Sequence, residues 1–214
     1  MFRGSLLVSV ALLSLVSFAS AQDTIFVSCW SGPRSDNYRT RNVKSPTISS
    51  GTGQKAYVSV KSTASGHACL NITKLFVAGP TGEFRKVFQV EPNQGDDGNG
   101  MRLIGWNRVG TKLLAELGRW TYGSDTGMDR DVIIYDSQLG KISKFDVAGS
   151  LSRHFGKGCV FEFATKGWYE AGDVVVEVTE NRDSEDDDVK SCVQRATRFV
   201  VNLDTGAVNK LTHK

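Results

Sequence analysis

Hydrophobic and polar positions alternate along most of this chain with a period of two, the pattern of β-strands that bury one face. The alternating runs are rich in β-branched and aromatic residues, and glycines separate them at short intervals. One further run, residues 111–117, fits a short helix or a strand equally well. The pattern predicts a single all-β domain over residues 22–214. The predicted strands are residues 24–27, 56–60, 74–78, 87–90, 102–106, 132–135, 174–178 and 198–203.

One unit recurs three times: an apolar strand, a tight turn that contains glycine, and a second strand. The turn glycines are Gly82, Gly140 and Gly206. Glycine supplies the positive φ that such turns need, and an aspartate beside it can accept turn N–H groups. Trp106 and Trp168 begin equivalent aromatic-glycine elements before the second and third copies, so we expect both rings to fill the core between repeats. Three approximate four-stranded antiparallel repeats follow, at residues 43–90, 101–147 and 159–211.

This succession of strands and glycine turns resembles the blades of a β-propeller of the TolB and WD40 kind. The resemblance implies propeller-like packing of the three repeats. Closed propellers usually have at least four blades. Three blades therefore imply either a homodimer that completes one ring or an open stack that is capped at its ends. A β-sandwich or barrel built from hairpins is the alternative interpretation.

The first 21 residues have the pattern of an export signal. Arg3 precedes an uncharged, largely apolar stretch over residues 6–18, and the small residues Ala19-Ser20-Ala21 follow it. The stretch is shorter than the roughly 20 residues that a membrane-spanning helix needs. We expect cleavage after Ala21 and a secreted or periplasmic mature protein without a membrane span.

The mature chain is close to neutral. Loss of Arg3 leaves 25 of the 26 basic residues against 23 acidic ones. Nucleic acids and anionic membranes attract a concentration of basic residues, which this balance does not indicate. We therefore expect a protein partner, with a polysaccharide as the alternative ligand.

Four cysteines are present, Cys29, Cys69, Cys159 and Cys192. Exported proteins form disulfides, and four cysteines can pair in three ways. We favour Cys29 with Cys69 and Cys159 with Cys192, because each pair lies within one half of the chain. The sequence has no C-x-x-C motif and no paired histidine spacing, so we expect no metal and no cofactor.

Asp-Thr-Gly, the motif of aspartic peptidases, occurs at Asp125-Thr126-Gly127 and at Asp204-Thr205-Gly206. Such enzymes bring two carboxylates together to activate a water molecule. Only eight residues follow the second copy, too few to support a catalytic turn, so we predict a hairpin turn there. The histidines, His67, His154 and His213, are scattered, and no nucleophile elbow or zinc helix is present. We expect no catalytic residues and no enzyme.

Two short motifs bear on the surface of the protein. Asn71-Ile72-Thr73 is an N-glycosylation sequon, which has meaning in a eukaryotic secretory pathway. Asp96-Asp97-Gly98-Asn99-Gly100 combines carboxylates with glycines, and we predict a solvated turn there.

An acidic segment, residues 183–188, stands just before Cys192. Charge runs are usually solvated loops. Its functional interpretation is an acidic finger that plugs the cationic cleft of an enzyme, as in an inhibitor or immunity-type protein. The candidate binding residues in this segment are Asp183, Glu185, Asp186, Asp187 and Asp188.

Tyr122 and Tyr169 lie beside predicted turns, where aromatic rings can anchor a protein or stack on sugars. They are candidate binding residues, and they would stack on sugar rings if the ligand is a carbohydrate. The leading interpretation is a non-catalytic binding protein that contacts another protein through its loops.

Overall fold

The computed structural model describes residues 41–65, 68–92, 97–121, 128–170, 172–180 and 190–212. These residues form 13 strands and one helix, arranged as three antiparallel sheets in chain order. Each sheet is open, because its two edge strands are not paired with each other among these residues. The predicted all-β class with three four-stranded antiparallel units is confirmed. The predicted strand over residues 24–27 lies outside the described part of the chain.

The first sheet has the order β1-β3-β4-β5, and β2 pairs with β3 beside the end of β1. Its strands are β1 (Arg41–Lys44), β2 (Ile48–Ser49), β3 (Lys55–Ser65), β4 (Ala68–Ala78) and β5 (Arg85–Val90).

The second sheet has the order β6-β7-β8-β9. Its strands are β6 (Asp97–Trp106), β7 (Lys112–Thr121), β8 (Asp129–Asp136) and β9 (Lys141–Phe145).

The third sheet follows a helix, α1 (Val147–Phe155), and has the order β10-β11-β12-β13. Its strands are β10 (Glu162–Tyr169), β11 (Asp173–Thr179), β12 (Thr197–Asn202) and β13 (Val208–Lys210).

The second sheet lies between the other two and buries both of its faces. On β7, Leu113, Ala115 and Leu117 join the apolar cluster shared with the first sheet, while Leu114 joins the cluster shared with the third. Each fully buried aliphatic side chain contributes about 1.5–3 kcal/mol to the free energy of unfolding. The two cores together hold the three sheets in a stack.

The tryptophans predicted to fill the core do so. Trp106 packs against the cluster between the first and second sheets, and Trp168 packs against the cluster between the second and third. The Trp168 indole N–H also donates to the carbonyl oxygen of Gly105 at 3.0 Å, which ties the third sheet to the second.

A pair of asparagines joins the first sheet to the second. The Asn71 side-chain amide donates to the backbone oxygen of Asn99 at 3.2 Å, and the Asn99 amide donates to the backbone oxygen of Asn71 at 2.7 Å. The Ser62 hydroxyl donates to Asn71 Oδ1 at 2.8 Å. Both asparagines are buried. The sequon asparagine is therefore inaccessible in the folded protein.

The solvated turn predicted at residues 96–100 is wrong. Strand β6 begins at Asp97, and Asn99 is buried in the interface with the first sheet. The Asn99 side-chain amide forms a hydrogen bond between the two sheets. This long-range contact overrides the local preference of glycine and asparagine for turns.

The hydrophobic pattern did not predict α1. Asp146 caps its N-terminus by accepting the Gly149 N–H at 2.8 Å, and Gly156 ends it with φ of 80°. Val147 and Leu151, one turn apart, bury their side chains against the second and third sheets. Ala148 and Phe155 pack against the same cluster, but the resulting apolar stripe spans only nine residues, too short to stand out from the alternating strands.

The predicted hairpin turn at Asp204-Thr205-Gly206 is confirmed between β12 and β13. Its side-chain acceptor is Asn202, whose Oδ1 accepts the Thr205 N–H at 2.8 Å and the Thr205 hydroxyl at 2.7 Å. Gly206 has φ of 71°, which favours glycine. This copy of the motif therefore forms a turn, and the first copy, Asp125-Thr126-Gly127, lies outside the described part of the chain.

Candidate functional site

A cleft of about 650 Å³ opens at one end of the third sheet. Its walls come from the last residues of α1, the segment 192–195, the start of β12 and the end of β13. This volume is within the range of sites that bind small molecules or a few side chains of a peptide. We call it the terminal cleft.

The floor of the terminal cleft is aromatic. Phe199 is buried on β12, and its ring meets Phe155 edge-on, with centroids 5.4 Å apart and an angle of 86°. Phe155 also packs against Phe161 at 5.4 Å, and the His154 ring lies 5.6 Å from Phe199. Aromatic contacts of this kind contribute about 0.5–1.5 kcal/mol each beyond the area they bury. The floor is thus held in place by several rings at once.

A disulfide holds one wall of the cleft. Cys159, shortly after α1, is bonded to Cys192, which confirms the predicted pairing of these two cysteines. Backbone bonds reinforce the link, since the Val160 N–H donates to the Lys190 carbonyl at 3.0 Å and the Cys192 N–H donates to the Val160 carbonyl at 2.9 Å. Cys29 lies outside the described residues, and so does its predicted pairing with Cys69.

The rim of the cleft is cationic. Arg195, Lys210 and His154 line it and are exposed. Lys210 is the cross-strand partner of Phe199, so both side chains stand on the same face of the sheet. No carboxylate in the described part of the chain lies within ion-pair distance of these three residues. Within the described part of the chain, the charges of Arg195 and Lys210 are thus left without an ion-pair partner.

Two other cation clusters, one on the second sheet and one on the third, have carboxylate partners within the protein. Between the second and third sheets, the buried Glu116 accepts from Arg102 at 3.2 Å, from Arg130 at 2.7 Å and from the Thr165 N–H at 2.7 Å. Arg102 also donates to the Thr165 carbonyl at 2.9 Å. This cluster is a structural link between the two sheets.

The second satisfied cluster lies on the outer face of the third sheet. Glu177 forms ion pairs with Lys166 at 2.7 Å and with Arg198 at 3.3 Å. The hydrogen bond from Lys166, supported by Arg198, holds the pKa of Glu177 below its ordinary value against the opposing effect of burial. Both cations are therefore paired with a carboxylate of the protein itself.

Comparison with family models, curated proteins and solved structures finds no match to this chain. The functional interpretation therefore depends on the geometry of the terminal cleft. Within the described residues, no group of histidine, cysteine, aspartate or glutamate side chains is arranged to hold a metal ion. None of the described helices is long and apolar enough to cross a membrane.

Of the predicted binding residues, the structure describes Tyr169. It lies half-buried at the end of β10, in the row that pairs Asp173 with Asn202. The cleft is at the opposite end of the sheet, where Val178 pairs with Thr197. Tyr169 therefore does not belong to the cleft. The remaining predicted binding residues lie outside the described part of the chain: Tyr122, Asp183, Glu185, Asp186, Asp187 and Asp188.

The residues that form the cleft were not predicted from sequence. Phe155, Phe199, Arg195 and Lys210 come from three distant segments of the chain, and each has an ordinary local context. One feature of the sequence could have pointed to the cleft. The predicted disulfide brings Cys192, which lines the cleft, close to Cys159.

Proposed function

We propose that this chain is an exported, non-catalytic binding protein that contacts another protein at the terminal cleft. One observation carries the proposal: an aromatic floor lies beside cations that have no carboxylate partner among the described residues. Aromatic residues and arginine supply most of the binding energy in protein interfaces. Such a floor, with charge at its rim, matches the usual division between the core and the edge of an interface.

The wall of the cleft supports this role. The disulfide between Cys159 and Cys192 joins the chain just after α1 to the segment that leads to Arg195. A cross-linked wall loses less conformational entropy when a partner binds, so a larger share of the contact energy contributes to affinity. A disulfide is also compatible with the oxidising compartment expected from the export signal.

We further infer that the three sheets are successive blade-like units in the sense of the propeller resemblance. The support is their order along the chain and the burial of both faces of the second sheet. Two copies that complete a ring would give a dimer mass in light scattering of the mature, oxidised protein. A monomer mass would favour an open stack.

Site-specific photocross-linking tests the proposed contact. A photoreactive residue replaces Gln194, which lines the cleft, and the full protein is exported by its native host. The control position is Leu139, an exposed residue in a turn of the second sheet. We expect one discrete adduct with another protein from position 194, and its loss when Arg195 and Lys210 are both changed to serine. No adduct, or the same adduct from position 139, would contradict the proposal.

A further variant separates this proposal from the inhibitor alternative. In it, serine replaces the carboxylates of residues 183–188. If the cleft carries the contact, the adduct from position 194 persists. Loss of the adduct from a folded variant would instead favour an acidic finger that enters a cationic partner.

A further inference from the structure

β13 is the last strand in the order of the third sheet, and it ends beside the terminal cleft. The Leu211 N–H donates to the Arg198 carbonyl at 2.9 Å, on the side of β12. Alternate residues of an antiparallel strand bond to the same neighbour. The N–H and C=O groups of Val208 and Lys210 therefore point away from β12. Within the described residues, no strand pairs with β13 on that side.

Charge and apolar surface lie on one side of this edge. Lys210 shares a face with Phe199, and Arg195 lines the same cleft. In a strand added beside β13, every second side chain would stand on the cleft side. A carboxylate there would meet the cations at the rim, and an apolar side chain would meet the aromatic floor.

We infer that the partner's contacting element is an extended, acidic segment. It adds to the edge of β13 and places a carboxylate against Lys210 and Arg195. This inference rests on the proposed function and specifies the chemistry of the partner. Paired backbone groups provide affinity in this mode of recognition, and alternate side chains provide specificity.

An extended peptide fits these observations better than a free anionic small molecule. A small anion would satisfy the cations and leave the outward N–H and C=O groups of Val208 and Lys210 in water. A second backbone satisfies both sets of groups together. The pairing of edge strands with added strands is a general property of exposed sheet edges.

Fluorescence anisotropy with defined peptides tests the inference on the mature, oxidised full chain. The probe is a labelled seven-residue peptide in which valine and glutamate alternate, with both ends blocked. The matched peptide has glutamine in place of each glutamate. We expect the glutamate peptide to bind about tenfold more tightly, because charge-assisted hydrogen bonds replace neutral ones.

Two variants of equal charge change locate the binding. Changing Arg195 and Lys210 together to serine should abolish the preference for glutamate. Changing Lys166 and Arg198 together to serine removes the same charge from the outer face of the same sheet and should preserve the preference. Equal weakening in both variants would show that only the overall charge attracts the peptide, and the inference would be wrong.

A third peptide tests the pairing with β13. It keeps every glutamate and carries N-methyl groups on alternate backbone nitrogens, which removes the donors that a strand needs. We expect its binding to fall by about tenfold or more, because the strand can no longer add to the edge. Unchanged binding would contradict addition to the edge of β13.

Failure of all three peptides to bind would overturn the inference. The proposed function would then be tested by the cross-link from position 194 alone. Cross-linking does not depend on the chemistry of the partner's contacting segment. An adduct without peptide binding would indicate a partner of different chemistry, and absence of both would contradict both proposals.

Discussion

Two pairs of cations on the third sheet differ in what surrounds them. On the outer face, Lys166 and Arg198 both lie against Glu177, whereas Arg195 and Lys210 border the terminal cleft with no carboxylate partner among the described residues. The first pair shares one carboxylate within the protein. The second lies beside an aromatic floor. The proposal therefore depends on which cations lack a partner in the described chain, and the number of basic residues alone does not support it.

A third cluster, around Glu116, differs from the Glu177 cluster in burial and not in contact distance. Glu116 and Glu177 each hold two cations at similar distances, 2.7 and 3.2 Å for Glu116 and 2.7 and 3.3 Å for Glu177. Glu116 is fully buried between two sheets, while Glu177 is partly exposed on the outer face. The cost of leaving a charge unpaired is high in the interior and low in water.

The largest expected effect comes from the buried member of this comparison. Changing Glu116 to alanine removes the acceptor of Arg130 and of the Thr165 N–H and the carboxylate partner of Arg102, and it should lower the free energy of unfolding by about 3–5 kcal/mol. The matched change of Glu177 to alanine should cost less than about 1 kcal/mol. Urea unfolding of both variants measures the difference. Equal losses would show that burial does not separate the two clusters.

The disulfide beside the cleft should have the next largest effect. Its two cysteines are 33 residues apart, so replacing both Cys159 and Cys192 by serine should reduce the free energy of unfolding by about 3–4 kcal/mol in the chain-entropy model. The variant should also bind the acidic peptide more weakly, because one wall of the cleft is released. Intact peptide affinity in the folded variant would show that this wall does not contribute to binding.

A smaller, pH-dependent effect is expected at Glu177. Its pKa is lowered in the folded state, so its ion pairs stabilise the protein above the ordinary pKa of 4.5, and this contribution disappears as the pH falls through the folded-state value. At pH 7, Glu177→Gln should cost less than about 1 kcal/mol, and the gap in stability to the wild type should narrow as the pH falls below 4.5. Urea unfolding of both proteins across this pH range measures the difference in their free energies of unfolding. The matched control is Glu162→Gln, which changes an exposed carboxylate on the same sheet.

The smallest expected effect on stability is at the cleft. Replacing Arg195 and Lys210 together by serine should change the free energy of unfolding by no more than about 0.5 kcal/mol, because neither has an ion-pair partner in the described chain. Thermal and urea unfolding measure this change. A loss above about 2 kcal/mol would indicate that these cations stabilise the fold, and they would then be poor evidence for a ligand site.

The strands were predictable where one face of a sheet is exposed. On β11, Val174, Val176 and Val178 are buried and alternate with more exposed residues, so the period of two is plain in the sequence. On β7 both faces are buried, and the run Lys112-Leu113-Leu114-Ala115-Glu116-Leu117 loses the alternation. This explains why residues 111–117 fitted a helix and a strand equally well.

The disulfide was predictable and the cleft was not. Cys159 and Cys192 lie in one half of the chain, and that proximity favoured their pairing. The cleft depends on the meeting of Phe155, Phe199 and Lys210, which is determined by how α1 packs against the third sheet. Since α1 is only nine residues long, its position was not visible in the hydrophobic pattern.

Charge reversal at the cleft tests the central claim most directly. A variant carrying both Arg195→Glu and Lys210→Glu is compared with the wild type for binding of two peptides, one alternating valine with glutamate and the other alternating valine with lysine. We predict that the wild type prefers the glutamate peptide and that the reversed variant prefers the lysine peptide. The same preference in both proteins would contradict the assignment of the terminal cleft as the binding site.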